Sequence, residues 1–203
     1  MIGFFHKIAD SLFYLPLGGE VSFRRKCADF IDVAPGDSVL DICCGSGNLI
    51  AFIANQHVAA NFTGVDISEI QIKKAREKNP DATLRVASAA SLPFESSTFD
   101  NCIISFGLHH VEERTRLEAL KEAHRVLVPG GSLYIFDYNI PEKGLGRFAA
   151  TIMTKLDNKG SAFQMLYGNK LMRDIEKTGF SILRQAFMYL GAVQLLKICK
   201  KPG

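Results

Sequence analysis

Two glycines and one acidic residue carry the chemistry that is most apparent in this sequence. Gly45 and Gly47 follow a short apolar run, and Asp66 ends the next such run. Glycine lets the backbone approach a ligand closely, because it has no Cβ atom and tolerates positive φ. A helix that begins after the loop offers free N–H groups, and a carboxylate at the end of the next strand can accept both hydroxyls of a ribose. These positions predict a nucleoside site, with an N-cap role for Asp66 as the plainer alternative.

The residues around this loop discriminate between two kinds of nucleoside cofactor. A dinucleotide site expects a third small residue in the pattern G-x-G-x-x-G, but Ile50 occupies that position. Asp41 comes just before the loop, where its charge would repel a pyrophosphate and attract a cation. The pattern favours a cofactor with a cationic amino-acid end, such as a sulfonium compound derived from methionine. An NAD-dependent oxidoreductase is the less favoured alternative.

His109 and His110 are the residues best suited to move a proton. They follow a β-like run at the edge of the expected cleft, and histidine is the side chain most often used as a general base. Packing or capping at the start of the next helix is an equal alternative for either residue. Asp137 and Tyr138 are weaker candidates. Asp137 has no obvious acidic partner and the cysteines lack metal-ligand spacing, so no metal site is predicted.

Alternating β-like and helical stretches position these residues. The predicted strands are Ser38–Cys43, Asn61–Asp66, Thr83–Ala87, Phe99–Phe106, Ser132–Tyr138, Ser181–Met188 and Val193–Cys199. The predicted helices are Asn48–Gln56, Glu69–Lys78, Glu112–Leu127 and Lys170–Lys177. The alternation predicts an α/β fold with a doubly wound sheet of five parallel strands, whose ligands bind at the carboxyl ends. Residues 189–192 are too few for a crossover helix, so a C-terminal antiparallel hairpin completes seven strands.

Size and charge restrict the classes of function. The chain has 203 residues, which suits one domain, and its net charge of +3 is too small to indicate a nucleic-acid partner. The five cysteines show no pairing pattern, which favours buried thiols in a reducing compartment. We find no signal peptide and no apolar stretch that would give stable membrane insertion, so a cytoplasmic protein is expected. A leading helix that lies on a membrane surface is a minority alternative.

A series of motifs occurs in order between residues 33 and 138. They are PGDSVLD with CGSG at 35–41 and 44–47, GVDIS at 64–68, SLPF before FD at 91–94 and 99–100, SFGLHHV at 105–111, and RVLVPGG at 125–131. In this combination the chain resembles the class I S-adenosylmethionine-dependent methyltransferases, and it is most similar to the ubiquinone/menaquinone biosynthesis C-methyltransferase-like group. The resemblance implies a Rossmann-like fold, S-adenosyl-L-methionine as cofactor, and methyl transfer to a small, partly apolar organic acceptor.

The resemblance also implies which residues contact the cofactor. They are Asp41, Cys43, Gly45 and Gly47 around the glycine loop, Asp66 at the ribose, Ile67, Ser88 and Ala89 at the adenine, and Ser105 and Phe106 near the reactive methyl group. We expect one methyltransferase domain over residues 1–203, with a helical lid at 1–32 and a variable, substrate-side segment at 139–169. Apolar residues of the lid are Phe4, Phe5, Ile8, Leu12 and Phe13, and residues that could reach the cleft are Tyr14, Arg24 and Arg25. Candidates for an apolar acceptor pocket are Phe148, Ile152, Met153, Phe163 and Met165.

Three positions depart from the pattern of these relatives. Cys43 stands where a small residue, often Gly, opens the loop, and Ser88 stands where an Asp commonly contacts the adenine. His109-His110 follow Phe-Gly-Leu, where the quinone methyltransferases tend to carry Arg-Asn. The identity of the acceptor and the oligomeric state therefore stay open. A non-catalytic, cofactor-binding module of the same fold is the main alternative function.

Overall fold

The computed structural model describes residues 19–156, 165–166 and 169–200, in which seven strands form one sheet with helices on both faces. The strands are β1 (Ser38–Ile42), β2 (Asn61–Asp66), β3 (Thr83–Val86), β4 (Phe99–Ser105), β5 (Leu127–Tyr138), β6 (Phe180–Met188) and β7 (Val193–Lys200). The helices are α1 (Glu20–Ala28), α2 (Asn48–Ala54), α3 (Glu69–Lys78), α4 (Glu113–Val126), α5 (Leu145–Leu156) and α6 (Lys170–Lys177). A single 3-10 turn at Leu108–His110 follows β4.

The order of the strands places a cleft where the chain changes direction across the sheet. The order is β3-β2-β1-β4-β5-β7-β6, with the first five strands parallel and β7 antiparallel to both of its neighbours. This confirms the predicted doubly wound sheet and its C-terminal hairpin. The chain leaves β1 toward β2 on one side and later returns to β4 on the other, so the loops after these strands diverge. Such a point in an α/β sheet is the usual place for a ligand.

Each face of the sheet buries its own apolar core. Helices α4 and α6 cover one face and contribute Leu120 and Ile175, which are both fully buried. Helices α1, α2 and α3 cover the other face and contribute Phe23, Ile53 and Ile72. Because both faces are covered, β4 and β5 are apolar along most of their length, as is typical of parallel strands in such folds. The two cores hold the carboxyl ends of these strands in fixed positions.

Two segments differ from the prediction. The predicted strand Ser132–Tyr138 instead begins at Leu127, directly after α4 ends at Val126, so it contains Pro129, Gly130 and Gly131. The register between β4 and β5 shifts after Phe99, and a Cβ atom at Gly131 would lie 2.9 Å from the carbonyl oxygen of Asp100, so glycine permits close approach inside this strand. Helix α5 occupies a segment for which no element was predicted, and Gly144 precedes it with a φ of 83°.

Candidate active site

A cavity of about 540 Å³ opens at the carboxyl ends of β1, β2 and β4, within the size range of small-molecule sites. It brings together most of the predicted site residues: Asp41, Cys43, Gly45, Asp66, Ile67, Ser88, Ala89, Ser105, Phe106 and His110. Gly47 and His109 lie outside this lining. Residues from sequence-distant motifs therefore meet in one cavity, which is what the motif order predicted.

The loop after β1 turns through left-handed backbone conformations at Cys43 and Gly45, where φ is 63° and 53°. The Gly45 N–H donates to Oδ2 of Asp66 (2.9 Å), which joins the loop to the end of β2. A Cβ atom added at Gly45 would meet no other atom within 4 Å. Glycine is therefore needed here for its backbone conformation, and the space in front of it is open to a ligand.

Gly47 lies where two helices pack closely. Its φ is 70°, and a Cβ atom there would lie 2.5 Å from Nδ2 of Asn79 and 3.0 Å from Cβ of Ala75. The same Asn79 amide donates to the carbonyl oxygens of Gly47 (3.1 Å) and Ala75 (3.0 Å). The absence of a side chain at Gly47 therefore permits α2 to pack closely against α3. A cofactor contact at Gly47 stays a prediction, beside this packing role.

Asp66 keeps both carboxylate oxygens at the cavity in a fixed orientation. Oδ2 accepts from the Gly45 N–H, and Oδ1 accepts from the Ser68 N–H at 2.9 Å. Each oxygen retains acceptor capacity, because a carboxylate offers about four lone-pair sites. The N-cap of α3 is Ser68, whose hydroxyl accepts from the Gln71 N–H. The plainer alternative for Asp66, an N-cap, is thereby replaced by a carboxylate that lines the cavity.

Asp41 is a buried carboxylate with an unsatisfied oxygen. Its exposed fraction is 2%, and Oδ1 has no hydrogen-bond partner among the described residues. Burial raises the pKa of Asp41 to about 8; the charge of Arg24 opposes this rise and the charge of Asp66 adds to it. An unpaired, buried carboxylate is costly to ionise, and a cationic ligand would relieve that cost. The floor of the cavity is therefore suited to an ammonium group.

Helix α1 covers the glycine loop and adds a cation to the cavity. Phe23 and Arg24 both line the cavity, as the lid expectation implied for Arg24, while Arg25 is exposed outside it. Oε1 of Glu20 accepts from Arg24 at 2.6 Å and from Nδ2 of Asn48 at 3.3 Å, so the helix is fastened to the start of α2. The cavity thus presents a guanidinium near a buried carboxylate, an arrangement complementary to a zwitterionic amino acid.

An apolar side chain and a hydroxyl lie on the far side of the cavity, after β2 and β3. Ile67 is 76% exposed although it lines the cavity, so a flat apolar ligand could cover it. The Ser88 hydroxyl oxygen accepts from the Ala90 N–H at 3.2 Å, which uses acceptor capacity but leaves its proton to donate. This side suits an aromatic base, and the contacts of Ile67 and Ser88 with the adenine stay a prediction.

Aromatic rings form the wall at the end of β4. Phe106 has a φ of 52° and its N–H donates to the Phe136 carbonyl (2.8 Å), which turns the ring away from the sheet. Its ring centroid lies 5.6 Å from that of Phe23 and 5.3 Å from that of Tyr138. Such spacings are those of packed aromatic pairs. These rings give the cavity an apolar wall beside Ser105.

The two histidines have separate environments. His110 is exposed and lines the cavity, whereas His109 is 2% exposed and lies behind it. Nδ1 of His109 is 2.7 Å from Oδ1 of Asp137, and the same oxygen accepts from the Tyr138 N–H at 2.8 Å. The two imidazole rings are in contact, with centroids 3.9 Å apart. The structure therefore places His110 at the cavity and His109 behind it, and a catalytic role for either residue stays a prediction.

Sequence reasoning did not name part of the lining. The missed residues include Phe23, Gln71, Val111 and Thr115. Of the predicted acceptor residues, Met165 is buried in the core and Phe148 is 69% exposed on the surface. The positions Phe4, Phe5, Ile8, Leu12, Phe13, Tyr14 and Phe163, and the side chains of Ile152 and Met153, lie outside the described residues. Two of these had a signal in the sequence: Gln71 follows the Ser68 cap within one turn, and Val111 ends the motif SFGLHHV.

A wider groove of about 740 Å³ lies at the opposite edge, by the amino ends of the strands. Its polar groups already have partners. Oδ2 of Asp37 accepts from the Ala34 N–H and from Nδ2 of Asn101, and Nζ of Lys197 donates to Asp32. Its size alone therefore does not mark a site, whereas the cavity at the carboxyl ends contains an unsatisfied carboxylate.

The described residues contain neither a metal-ligating cluster nor a membrane-spanning helix. Within the described ranges, no group of three or more His, Cys, Asp and Glu side chains is arranged to hold a metal ion. None of the helices that the structure describes has the length and apolarity needed to cross a membrane.

Comparisons with known proteins agree with this geometry. Residues 39–131 match the family model described as a methyltransferase domain. An uncharacterized methyltransferase of Synechocystis sp. is 28% identical over 95% of this chain and 89% of that protein. The demethylmenaquinone methyltransferase of Listeria welshimeri is 35% identical over 60% of this chain, which spans about half (53%) of that protein. The structure of an S-adenosylmethionine-dependent methyltransferase of Methanosarcina mazei matches with a TM-score of 0.66 at 21% identity, over 83% of this chain and 94% of that one.

The fold and the family match agree on the class of protein. The α/β fold with its seven-stranded sheet is shared with the structure from Methanosarcina mazei. The methyltransferase-domain match and the methyltransferase relatives make this chain similar to S-adenosylmethionine-dependent methyltransferases, which supports enzymatic methyl transfer with S-adenosyl-L-methionine as cofactor. This confirms the family, the fold class and the cofactor that the motifs predicted.

Proposed function

We propose that this enzyme binds S-adenosylmethionine across the ends of β1 and β2 and methylates a small, partly apolar acceptor that enters beside His110. The observation that carries the proposal is Asp41, whose Oδ1 is buried and unpaired in a cavity that Asp66 also lines. A nucleoside joined to an amino acid satisfies both carboxylates. Its ammonium group pairs with Asp41, and its ribose hydroxyls donate to Asp66.

The remaining cofactor contacts follow from the positions of the lining residues. Arg24 binds the carboxylate of the methionine portion, Ile67 packs on the adenine, and Ser88 and Ala89 lie at its edge. Cys43 and Gly45 provide the close backbone approach. The bound cofactor supplies an activated methyl group on a sulfonium, so the protein mainly orients the acceptor and excludes water.

The acceptor side is formed by Ser105, Phe106 and His110. His110 is the general base for an acceptor that loses a proton, because it lines the cavity directly. His109 acts through it as a positioning residue, since it contacts the His110 ring and is itself held by Asp137. The name of the Listeria relative supports a partly apolar acceptor. The His109-His110 pair differs from the residues expected in quinone methyltransferases, so the proposal stays with that broader class.

We further propose a single methyltransferase domain that acts in the cytoplasm. The five cysteines are free thiols, as expected in a reducing compartment. Segments 1–32 and 139–169 are proposed to cover the cofactor and the acceptor, respectively. The position of α1 over the glycine loop supports the first of these assignments.

Calorimetric titration with S-adenosylmethionine, and with its demethylated product, tests the proposal. We expect Asp66→Ala to weaken binding at least about a hundredfold, because two charge-assisted hydrogen bonds are lost. Asp32→Ala is the matched control, because that carboxylate lies at the opposite edge and pairs with Lys197. Equal affinity in wild type and Asp66→Ala would contradict the site. Tight binding without methyl transfer to quinols, phenols, lipids or thiols would instead indicate the non-catalytic module.

A further inference from the structure

A patch of exposed apolar side chains lies at the same edge of the sheet as the cleft. Leu145 and Phe148, one turn apart on α5, are 81% and 69% exposed, and Leu190 in the turn between β6 and β7 is 78% exposed. The helix and the turn are in direct contact, because a Cβ atom at Gly146 would collide with the carbonyl oxygen of Leu190. These three side chains are called the apolar patch below. Apolar surface concentrated in this way usually marks an interaction site.

Positive charge surrounds the apolar patch. Lys143 and Arg147 are exposed on the α5 side, and Nη1 of Arg147 donates to the carbonyl of Glu142 at 3.2 Å. On the other side, Nζ of Lys26 lies 5.6 Å from the ring centroid of Tyr189, which adjoins Leu190. Glu142 is the acidic side chain in the same stretch. The rim therefore carries three cations and one anion, so its net charge is positive.

The apolar patch is connected to the cleft by aromatic contacts. Phe106 and Phe23 line the cavity, and Phe23 stacks on Tyr189 with centroids 6.2 Å apart. Tyr189 directly precedes Leu190. A partner that binds the apolar patch would therefore lie close to the side of the cavity where the acceptor is proposed to enter.

We propose that the apolar patch and its cationic rim dock on the surface of an anionic lipid bilayer. Leu145, Phe148 and Leu190 enter the interfacial region, while Lys26, Lys143 and Arg147 face the lipid phosphates. Apolar burial and attraction to anionic lipid add together in this mode of binding. A stable protein interface buries about 1,200 Å² or more with matched shape, which three separate side chains do not provide. A bilayer needs no such match.

Co-sedimentation with vesicles tests this proposal without any methyl acceptor. We expect the whole chain to bind vesicles of phosphatidylcholine with phosphatidylglycerol roughly a hundredfold more tightly than pure phosphatidylcholine, because each of the three cations contributes about 1 kcal/mol, or about fivefold. Added salt should weaken the binding, since it screens exposed charges. Equal binding to both kinds of vesicle, or no binding to either, would overturn the proposal.

Substitutions separate this surface from the cofactor site. The double variant Leu145→Ser/Phe148→Ser should lose at least about tenfold in vesicle affinity, and Lys143→Glu/Arg147→Glu should lose the preference for anionic lipid. Val58→Ser and Ile70→Ser are matched controls, because these side chains are 88% and 70% exposed elsewhere and should leave binding unchanged. All variants should bind S-adenosylmethionine like wild type, so a failure of the cofactor site is seen independently. Sedimentation velocity provides the remaining outcome: self-association that Phe148→Ser abolishes, without vesicle binding, would assign the patch to a second copy of the chain and refute docking.

Discussion

The two halves of the cavity are constructed differently. At the ends of β1 and β2, main-chain N–H groups bind one carboxylate, and the residues involved belong to two short motifs. At the ends of β4 and β5, the wall consists of packed rings behind which His109 and Asp137 form a buried pair. In the first half, backbone geometry positions the cofactor, which is the same whatever the acceptor. The second half depends on side-chain packing, which is easier to alter, and it is the half that we propose faces the acceptor.

Removal of the Asp137 carboxylate should have the largest effect. Asp137 is fully buried, and Oδ1 accepts from both His109 and the Tyr138 N–H. Asp137→Ala leaves these two donors buried without their acceptor, so we expect a loss of about 3–5 kcal/mol in the free energy of unfolding. Urea denaturation measures it. The result would show that one carboxylate supports the acceptor half.

The exposed pair of Asp32 with Lys197 provides the contrast. Asp32 is 59% exposed, so Asp32→Ala should cost less than about 1 kcal/mol. If both variants lose the same amount, the acceptor half has no special dependence on its buried carboxylate and the comparison between the halves fails.

His110 should affect turnover and leave cofactor binding unchanged. We expect His110→Gln to lower kcat about a hundredfold for the acceptor with the highest wild-type turnover in a radiolabelled methyl panel, because a positioned base is lost. The affinity for S-adenosylmethionine should stay within about twofold, which is less than about 0.5 kcal/mol, because His110 lies on the proposed acceptor side of the cavity. A matched loss of cofactor affinity would place His110 in the cofactor half and contradict the proposed division.

Asp41 should couple cofactor binding to a proton. Its pKa of about 8 means that the free carboxyl is mostly protonated at pH 7, and an ammonium ligand favours the ionised form. Calorimetry in buffers of different ionisation enthalpy should therefore detect up to one proton released at pH 7 and none well above pH 8. Asp41→Asn should abolish the release and weaken binding about tenfold, since a buried ion pair is lost. Proton release unchanged in Asp41→Asn would refute this assignment.

The same carboxyl makes the ligand-free protein sensitive to pH. A pKa raised from 3.8 to about 8 means that the folded state retains a proton that the unfolded state has lost in this range. The free energy of unfolding should therefore fall as pH rises from about 4 to 8. In Asp41→Asn this contribution should vanish, and thermal unfolding across that range measures the difference.

The part of the site that the sequence could predict is the part encoded in contiguous motifs. A short segment at the end of a predicted strand contains each of Gly45, Asp66 and Ser88. Because the fold prediction fixed where those strands end, it also placed these residues at the cavity. Phe23 and Gly47 required knowledge of how helices pack. The lining face of α1 depends on its placement over the loop, and the role of Gly47 depends on contact with Asn79, a residue 32 positions away. Periodicity carries no information about either contact.

Ser88 should show the smallest effect, and it tests how completely backbone geometry fixes the cofactor half. Its hydroxyl oxygen already accepts from the Ala90 N–H, so Ser88→Ala should change the affinity for S-adenosylmethionine by less than about threefold, the value of one neutral, partly exposed hydrogen bond. Ser88→Asp restores the carboxylate common in relatives and should strengthen binding by up to about tenfold, because a charged acceptor for the adenine amino group is the stronger one. Titration of both variants at one pH and salt concentration compares them directly. If Ser88→Ala weakens binding as much as Asp66→Ala does, side chains rather than the backbone dominate this half as well, and the two halves of the cavity follow the same rule.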